Sequence, residues 1–164
     1  MRTILIFVLG GFLGFAAGGA TAVFFYPFVF PPPVVNQQLA DRNERQVVAT
    51  GSFVRHDPND PIHWGTGSAT VFRDRDGGQL AFLEQDFEVG PGPKFHVYLV
   101  KHPAPQSSDV ANSEFLDLGQ LVSFKGSQGY VIPMAADLAQ YGSLVIWCKA
   151  FGVLIAPATL NRKA

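Results

Sequence analysis

The chain has 164 residues, a formal net charge of −1, a pI near 6.4 and only 15% charged residues. That length holds one ordinary domain and excludes a multidomain enzyme, and the lack of a basic block excludes the electrostatic footprint of a nucleic-acid-binding protein. The deficit of charge sits in one place: from Thr3 to Ala40 there is no Asp, Glu, Lys or Arg.

The first predicted element is a membrane helix. Thr3 to Tyr26 reads TILIFVLGGFLGFAAGGATAVFFY, and as a helix this run is about 36 Å long, enough for a hydrocarbon core of about 30 Å. Arg2 and the amino terminus carry the flanking positive charge, so the positive-inside tendency keeps the N-terminus in the cytoplasm and exports the rest, to the periplasm or the cell exterior. Residues 1–26 are therefore predicted to be an uncleaved signal anchor. A cleaved signal peptide competes, because Ala20-Thr21-Ala22 meets the small-x-small cleavage pattern, but the apolar run exceeds the roughly 7–15 residues of a signal h-region, and either reading exports the body. Phe24, Phe25, Tyr26, Phe28 and Phe30 fall toward the outer interface, where Tyr26 pairs a ring with a polar tip. Gly10, Gly14 and Gly18 line one helix face, where a second copy could approach to form a homodimer; small residues are also simply common in membrane helices.

Pro27 and Pro31-Pro32-Pro33 stop a helix and favour an extended segment, and the polar run from Asn36 to Glu44 follows. Residues 27–45 read as a stalk. From Gln46 to Ala164 short strand-like runs alternate with Gly, Pro, Asp and Asn clusters, the pattern of an all-β domain, a single β-sandwich or barrel-like body. The candidate strands are 47–54, 67–73, 79–89, 95–101, 115–121, 129–132, 144–151 and 153–155, and only 134–141 has helical character. Alternation puts Phe95, Val97 and Leu99 on the core face, opposite His96, Tyr98, Val100 and His102. By the same rule Leu144, Ile146 and Cys148 oppose Val145, Trp147 and Lys149, so Cys148 faces the interior.

Cys148 is the single cysteine, and in an exported chain a lone thiol pairs between chains, stays free or binds something. As a residue type it also serves simply as a small buried hydrophobe. The four histidines, His56, His63, His96 and His102, have no zinc-motif spacing, so no closed metal site is expected. His96 and His102 would be about 20 Å apart along a strand, too far for one ion. Glu84, Asp86 and Glu88 alternate on what reads as one strand, giving a solvated acidic face with room for neighbouring pairs to share a hard cation. The signatures GxSxG, HExxH and GxxxxGK[ST] are missing, so hydrolase and kinase readings have no support.

Several segments taken in order resemble the DM13 domain family, also called electron-transfer DM13. They are Gly51-Ser52-Phe53; His63 followed by Gly67-Ser68-Ala69-Thr70-Val71; Gly92-Pro93 leading into His96-Val97-Tyr98-Leu99; Leu116-Asp117-Leu118-Gly119-Gln120-Leu121; Gly126 to Tyr130 with Ile132-Pro133; Asp137-Leu138 with Tyr141; Val145-Ile146-Trp147-Cys148; and Ala158-Thr159-Leu160. The chain departs from the family pattern at Ile155-Ala156-Pro157, where Phe-Gly is expected. The resemblance implies a mainly β extracytoplasmic domain whose cysteine, matched by Cys148, acts as a redox thiol or as the attachment point of a group such as haem or another metal centre. His63 and His96 are the candidate second participants, a redox partner protein is implied, and the domain reads as a redox accessory more than a stand-alone enzyme. The alternative is a non-catalytic cell-envelope binding module in which Cys148 is packing.

Overall fold

Turn-forming clusters cut the body into short extended runs, and in a computed structural model these runs pair into antiparallel sheets. The structure describes residues 2–163, with the backbone alone for Leu5, Val23 and Phe24, so the side chain of Phe24 in the expected aromatic band lies outside the described residues. A helix, α1 (Arg2–Val29), runs through Pro27, the residue expected to stop it, so the extended segment begins three residues later than the expected stalk. The helix precedes eleven strands: β1 (Gln46–Ser52), β2 (Gly65–Thr66), β3 (Ser68–Arg73), β4 (Gln79–Leu83), β5 (Glu88–Val89), β6 (Phe95–Val100), β7 (Phe115–Gln120), β8 (Gln128–Ile132), β9 (Ser143–Cys148), β10 (Val153–Thr159) and β11 (Asn161–Arg162). A short helix, α2 (Ser107–Asn112), lies between β6 and β7. The larger sheet has the order β11-β1-β3-β4-β8, the second β10-β9-β6-β7, and β2 pairs with β5.

The two main sheets close on one apolar layer. Val71, Ala81, Leu83 and Ile132 from the first meet Val97, Leu99, Leu144 and Ile146 from the second, all almost fully buried. Burying each Leu or Ile in this layer contributes about 1.5–3 kcal/mol. A smaller second layer forms on the outer face of the β6–β9 pair, where Tyr98, Val100, Val145, Trp147 and Leu154 pack with Val110 of α2. That cover explains why β6 and β9 carry apolar residues on both faces where a one-sided strand would alternate. Sequence pattern misses α2 because six residues are too few for a helical period to show. Its first turn is closed by Asp109, whose carboxylate accepts the Gln106 N–H at 2.8 Å.

The expected strand 79–89 is two strands. At Glu84 the chain turns, Phe87 N–H donating to Glu84 O at 3.0 Å, so that Phe87 can enter the core. Gly67 lies directly beneath this turn at φ +93°, and a Cβ there would sit 2.4 Å from Asp86 O. The three carboxylates consequently do not form one strand face. Glu84 binds Arg42 and Thr70, Asp86 accepts from the Ser68 N–H and hydroxyl, and Glu88 pairs with Lys125 at 2.9 Å. Within 134–141 only Leu138–Gln140 is helical, a single 3-10 turn capped by the Asp137 carboxylate, which accepts the Ala139 N–H.

The larger sheet is met on its outer face by the segment that follows α1. Val35 N–H donates to Lys125 O at 3.2 Å and Gln37 N–H to Ser127 O at 3.0 Å. Further on, Arg42 forms a two-pronged ion pair with Glu84 and lays its guanidinium over Phe72 and Phe82, 5.1 and 5.7 Å from the ring centres. Gly119 in β7 provides a comparison with Gly67: it also has positive φ, +121°, but nothing lies within 4 Å of its Cβ position. Gly119→Ala is therefore expected to lose about 1 kcal/mol from backbone strain, and Gly67→Ala about 3 kcal/mol or more because strain and overlap add. Urea unfolding of the two variants, followed by tryptophan fluorescence, checks the ranking.

Candidate functional site

Cys148 ends β9, opposite Phe95 of β6 and Val153 of β10. Strand alternation turns its side chain inward with Leu144 and Ile146, as expected, and only 2% of it is exposed. The chain then reverses, Gly152 N–H donating to Cys148 O at 2.8 Å, which brings Phe151 back beside the thiol. Sγ donates to the Pro93 carbonyl at 3.3 Å. Around it is a narrow cleft of about 40 Å³ whose walls include His63, Phe95 and Phe151, with Phe28 of α1 at the rim.

His63 reaches this cleft from the loop joining β1 to β2, and the loop owes its shape to Asp60. One carboxylate oxygen accepts the N–H groups of Ile62 and His63, at 2.8 and 3.0 Å, and the other meets His63 Nδ1 at 2.6 Å. Held first by the His63 backbone N–H, then by the ring and by the Ile62 N–H, the Asp60 carboxyl is pushed down to about 2. With Nδ1 engaged, Nε2 is the ring atom left for proton transfer. The Asp-Pro-Ile-His spacing is the sequence signal for this pair, an aspartate that caps its own turn and meets a side chain three residues on.

His96 is not part of the cleft. It projects from the opposite face of β6, where Nδ1 meets Asp117 Oδ1 at 2.9 Å while Lys149 binds Asp117 Oδ2 at 3.2 Å. A bulge in β7 makes that contact: the register slips between Val97 and Tyr98, and Gly119 N–H also donates to Asp117. Burial pushes the Asp117 carboxyl up, but the bonds from His96, Gly119 and Lys149 outweigh it and leave it below the usual carboxylate range. Beyond His96 the face is aromatic, with Tyr98 stacked on Phe115 at 4.5 Å. The structure thus brings Cys148 and His63 together and separates His96 from both by the thickness of the sheet. Asp60, Phe151, the Pro93 carbonyl and Asp117 are the members that sequence reasoning misses, and only Asp60 has a local signal.

Haem does not fit the Cys148 cleft, because about 40 Å³ falls far below the roughly 300–1,000 Å³ of small-molecule sites. The donor set is also too small for a metal ion. Cys148 and His63 make two ligands where a catalytic zinc takes three from protein, and among the described residues no group of three or more His, Cys, Asp or Glu is placed to hold one. What the arrangement supports is thiol chemistry with a histidine alongside.

The lowered Asp60 pKa has a definite sign. A depressed carboxyl favours the charged, folded loop, so its contribution is complete above the ordinary value of 3.8 and is lost as pH falls through about 2. Carboxyl-carbon NMR should show Asp60 titrating near 2, and Asp60→Asn should loosen the His63 loop at neutral pH, seen as faster amide exchange at Ile62 and His63.

A family model described as electron transfer DM13 matches residues 58–160. The match takes in His63, His96 and Cys148, with Gly51-Ser52-Phe53 outside it. No curated protein and no solved structure matches the chain. With more than half its length matched, the chain belongs to the electron transfer DM13 family, and a redox role is the function that membership supports.

Proposed function

We propose that the chain is a membrane-anchored, extracytoplasmic redox domain in which Cys148 is the reacting group and His63 its proton acceptor. The observation that carries this is the convergence, on one cleft, of the chain's single thiol and an aspartate-oriented histidine. The oxidant is taken as a hydroperoxide. His63 Nε2 takes the thiol proton, Sγ attacks the outer peroxide oxygen, the O–O bond breaks as the S–O bond forms, and the imidazolium returns the proton to the departing alkoxide. The products are an alcohol and a Cys148 sulfenic acid, oxidised by two electrons. One external thiol condenses with it and releases water, and a second displaces the mixed disulfide, which restores Cys148 and leaves the external pair oxidised.

Sγ is almost fully buried and donates to the Pro93 carbonyl, so reaction requires the cleft rim to open far enough for that bond to be exchanged. The anchor is α1, whose Arg2–Ala22 portion has a mean hydropathy of 2.0 and no buried share. Burial of Cys148 supports a second reading, a binding module in which the sulfur only packs.

A sulfenic-acid probe applied to the full-length protein in vesicles after hydroperoxide treatment separates the two. Wild type should label once per chain and Cys148→Ser not at all, and His63→Ala should label at least about 100-fold more slowly, the usual size of a general-base effect. Labelling that appears only after denaturation, together with a lowered melting temperature for Cys148→Ala, would establish the packing reading instead.

A further inference from the structure

We infer that the end of the sandwich bearing the Cys148 cleft rests on the lipid bilayer, with Ile62, Val122 and Phe151 inserted at the interface; the inference rests on the reading of α1 as a membrane anchor. The tether is the first reason. α1 ends at Val29, and Val35 is already bonded to Lys125. The intervening residues, Phe30 to Val34, can extend over at most about 20 Å. Whatever the angle of the helix, the loop that carries Lys125 is held near the membrane.

That end is also the apolar one. Ile62, Val122 and Phe151 are 51%, 60% and 58% exposed and come from three separate loops. The exposure of Val122 is built in: its N–H donates to Gln128 Oε1 at 3.1 Å and to the Tyr130 hydroxyl at 3.2 Å, and with the backbone pinned inward the side chain points outward. Aromatic residues of α1 and the tether continue the surface, Phe28 of α1 at the Cys148 cleft and Tyr26 of α1 with Phe30 of the tether along a neighbouring groove of about 450 Å³ that also contains Val122. The opposite end of the sandwich is closed by the charged turn Asp74-Arg75-Asp76-Gly77-Gly78, with the exposed Met134 beside it.

An apolar rim of this size, joined by a short tether to a membrane helix, matches the shallow insertion of interfacial segments, about 5–10 Å into the headgroup boundary. Two cations at the rim are paired, Lys125 with Glu88 and Lys149 with Asp117, and Lys94 is exposed along the groove. Contact should therefore depend on apolar insertion and proceed on neutral lipid. It would place the mouth of the Cys148 cleft at the membrane interface.

The test uses the full chain in phosphatidylcholine vesicles, with and without lipid brominated on the acyl chain, carrying Phe151→Trp, Val122→Trp or, at the far end, Met134→Trp. After subtraction of the parent emission, brominated lipid should remove about half of the added fluorescence of the first two variants and leave Met134→Trp unchanged, given insertion to that depth. Equal quenching at all three positions, in protein that stays with the vesicles through an alkaline carbonate wash, overturns the inference alone. Release by carbonate overturns the anchor reading and the inference with it. A blue shift that grows with protein density without bromolipid quenching assigns the patch to a second copy of the chain and overturns the lipid contact.

Discussion

Burial of the β6–β9 pair on both faces is the constraint on which the rest of the structure depends. On the inner side it joins the two sheets through Val97, Leu99, Leu144 and Ile146, and on the outer side it receives Val110 and the aromatic layer of Tyr98 and Trp147. Because side chains alternate along a strand, a one-residue slip would exchange the two faces, moving Cys148 out of the core and Trp147 into it. Two different apolar layers oppose such a slip, so the register is held from both sides. The thiol's inward direction and the outward direction of His96 are consequences of the same ladder, in which Phe95 faces Cys148 and His96 faces Trp147.

Around this rigid pair the candidate site is assembled from loops. The β1–β2 loop supplies His63, the segment before β6 supplies the Pro93 carbonyl, and the turn after β9 supplies Phe151. Two of the three are tied down locally, the first by the Asp60 carboxylate and the last by the Gly152 to Cys148 bond. A buried amide does the same for the loop that follows β7. Gln128 accepts from Val122, Ser123 and the Tyr130 hydroxyl and returns a bond to Ser123 O at 2.8 Å. Burial raises the Tyr130 phenol to about 12, the Val122 N–H pulling the other way, so the hydroxyl keeps its proton and remains a donor to Gln128. Loops positioned by a scaffold are where binding and catalytic groups commonly sit, and here they converge at the end from which α1 departs.

The thiol's surroundings bear on its chemistry in two opposed ways. Burial in an apolar cleft and an S–H bond to a carbonyl keep solutes from the sulfur, which protects it from indiscriminate oxidation. A histidine on the same cleft wall offers the proton an exit once the S–H bond is exchanged. Reactivity would then be gated by motion of the rim, which is formed by loop residues and by Phe28, and a rim seated on lipid would couple that gate to the membrane.

Elements that one local pattern defines were legible in the sequence. The uncharged run to Ala40 marked α1, turn residues marked most strand limits, and alternation pointed Cys148 inward because a strand's period is two whatever it packs against. The ordered DM13 segments pointed to the family by the same linear means. Contacts between residues distant in the chain were decided only by tertiary structure. The 79–89 run broke into two strands because Phe87 had to enter a core formed by other strands and Gly67 had to pass beneath the turn. Tyr98 and Val100 gained a second buried layer only because α2 folded over them. His63 joined Cys148, and His96 was kept from it, because pairing places residues 63, 93 and 148 at one end of the sandwich while a sheet lies between the two faces of β6. The sequence alone determined which residues were able to do chemistry and which way each strand side chain turned; which of them meet depended on sheet pairing and loop packing, interactions that span most of the chain and leave no local period to read.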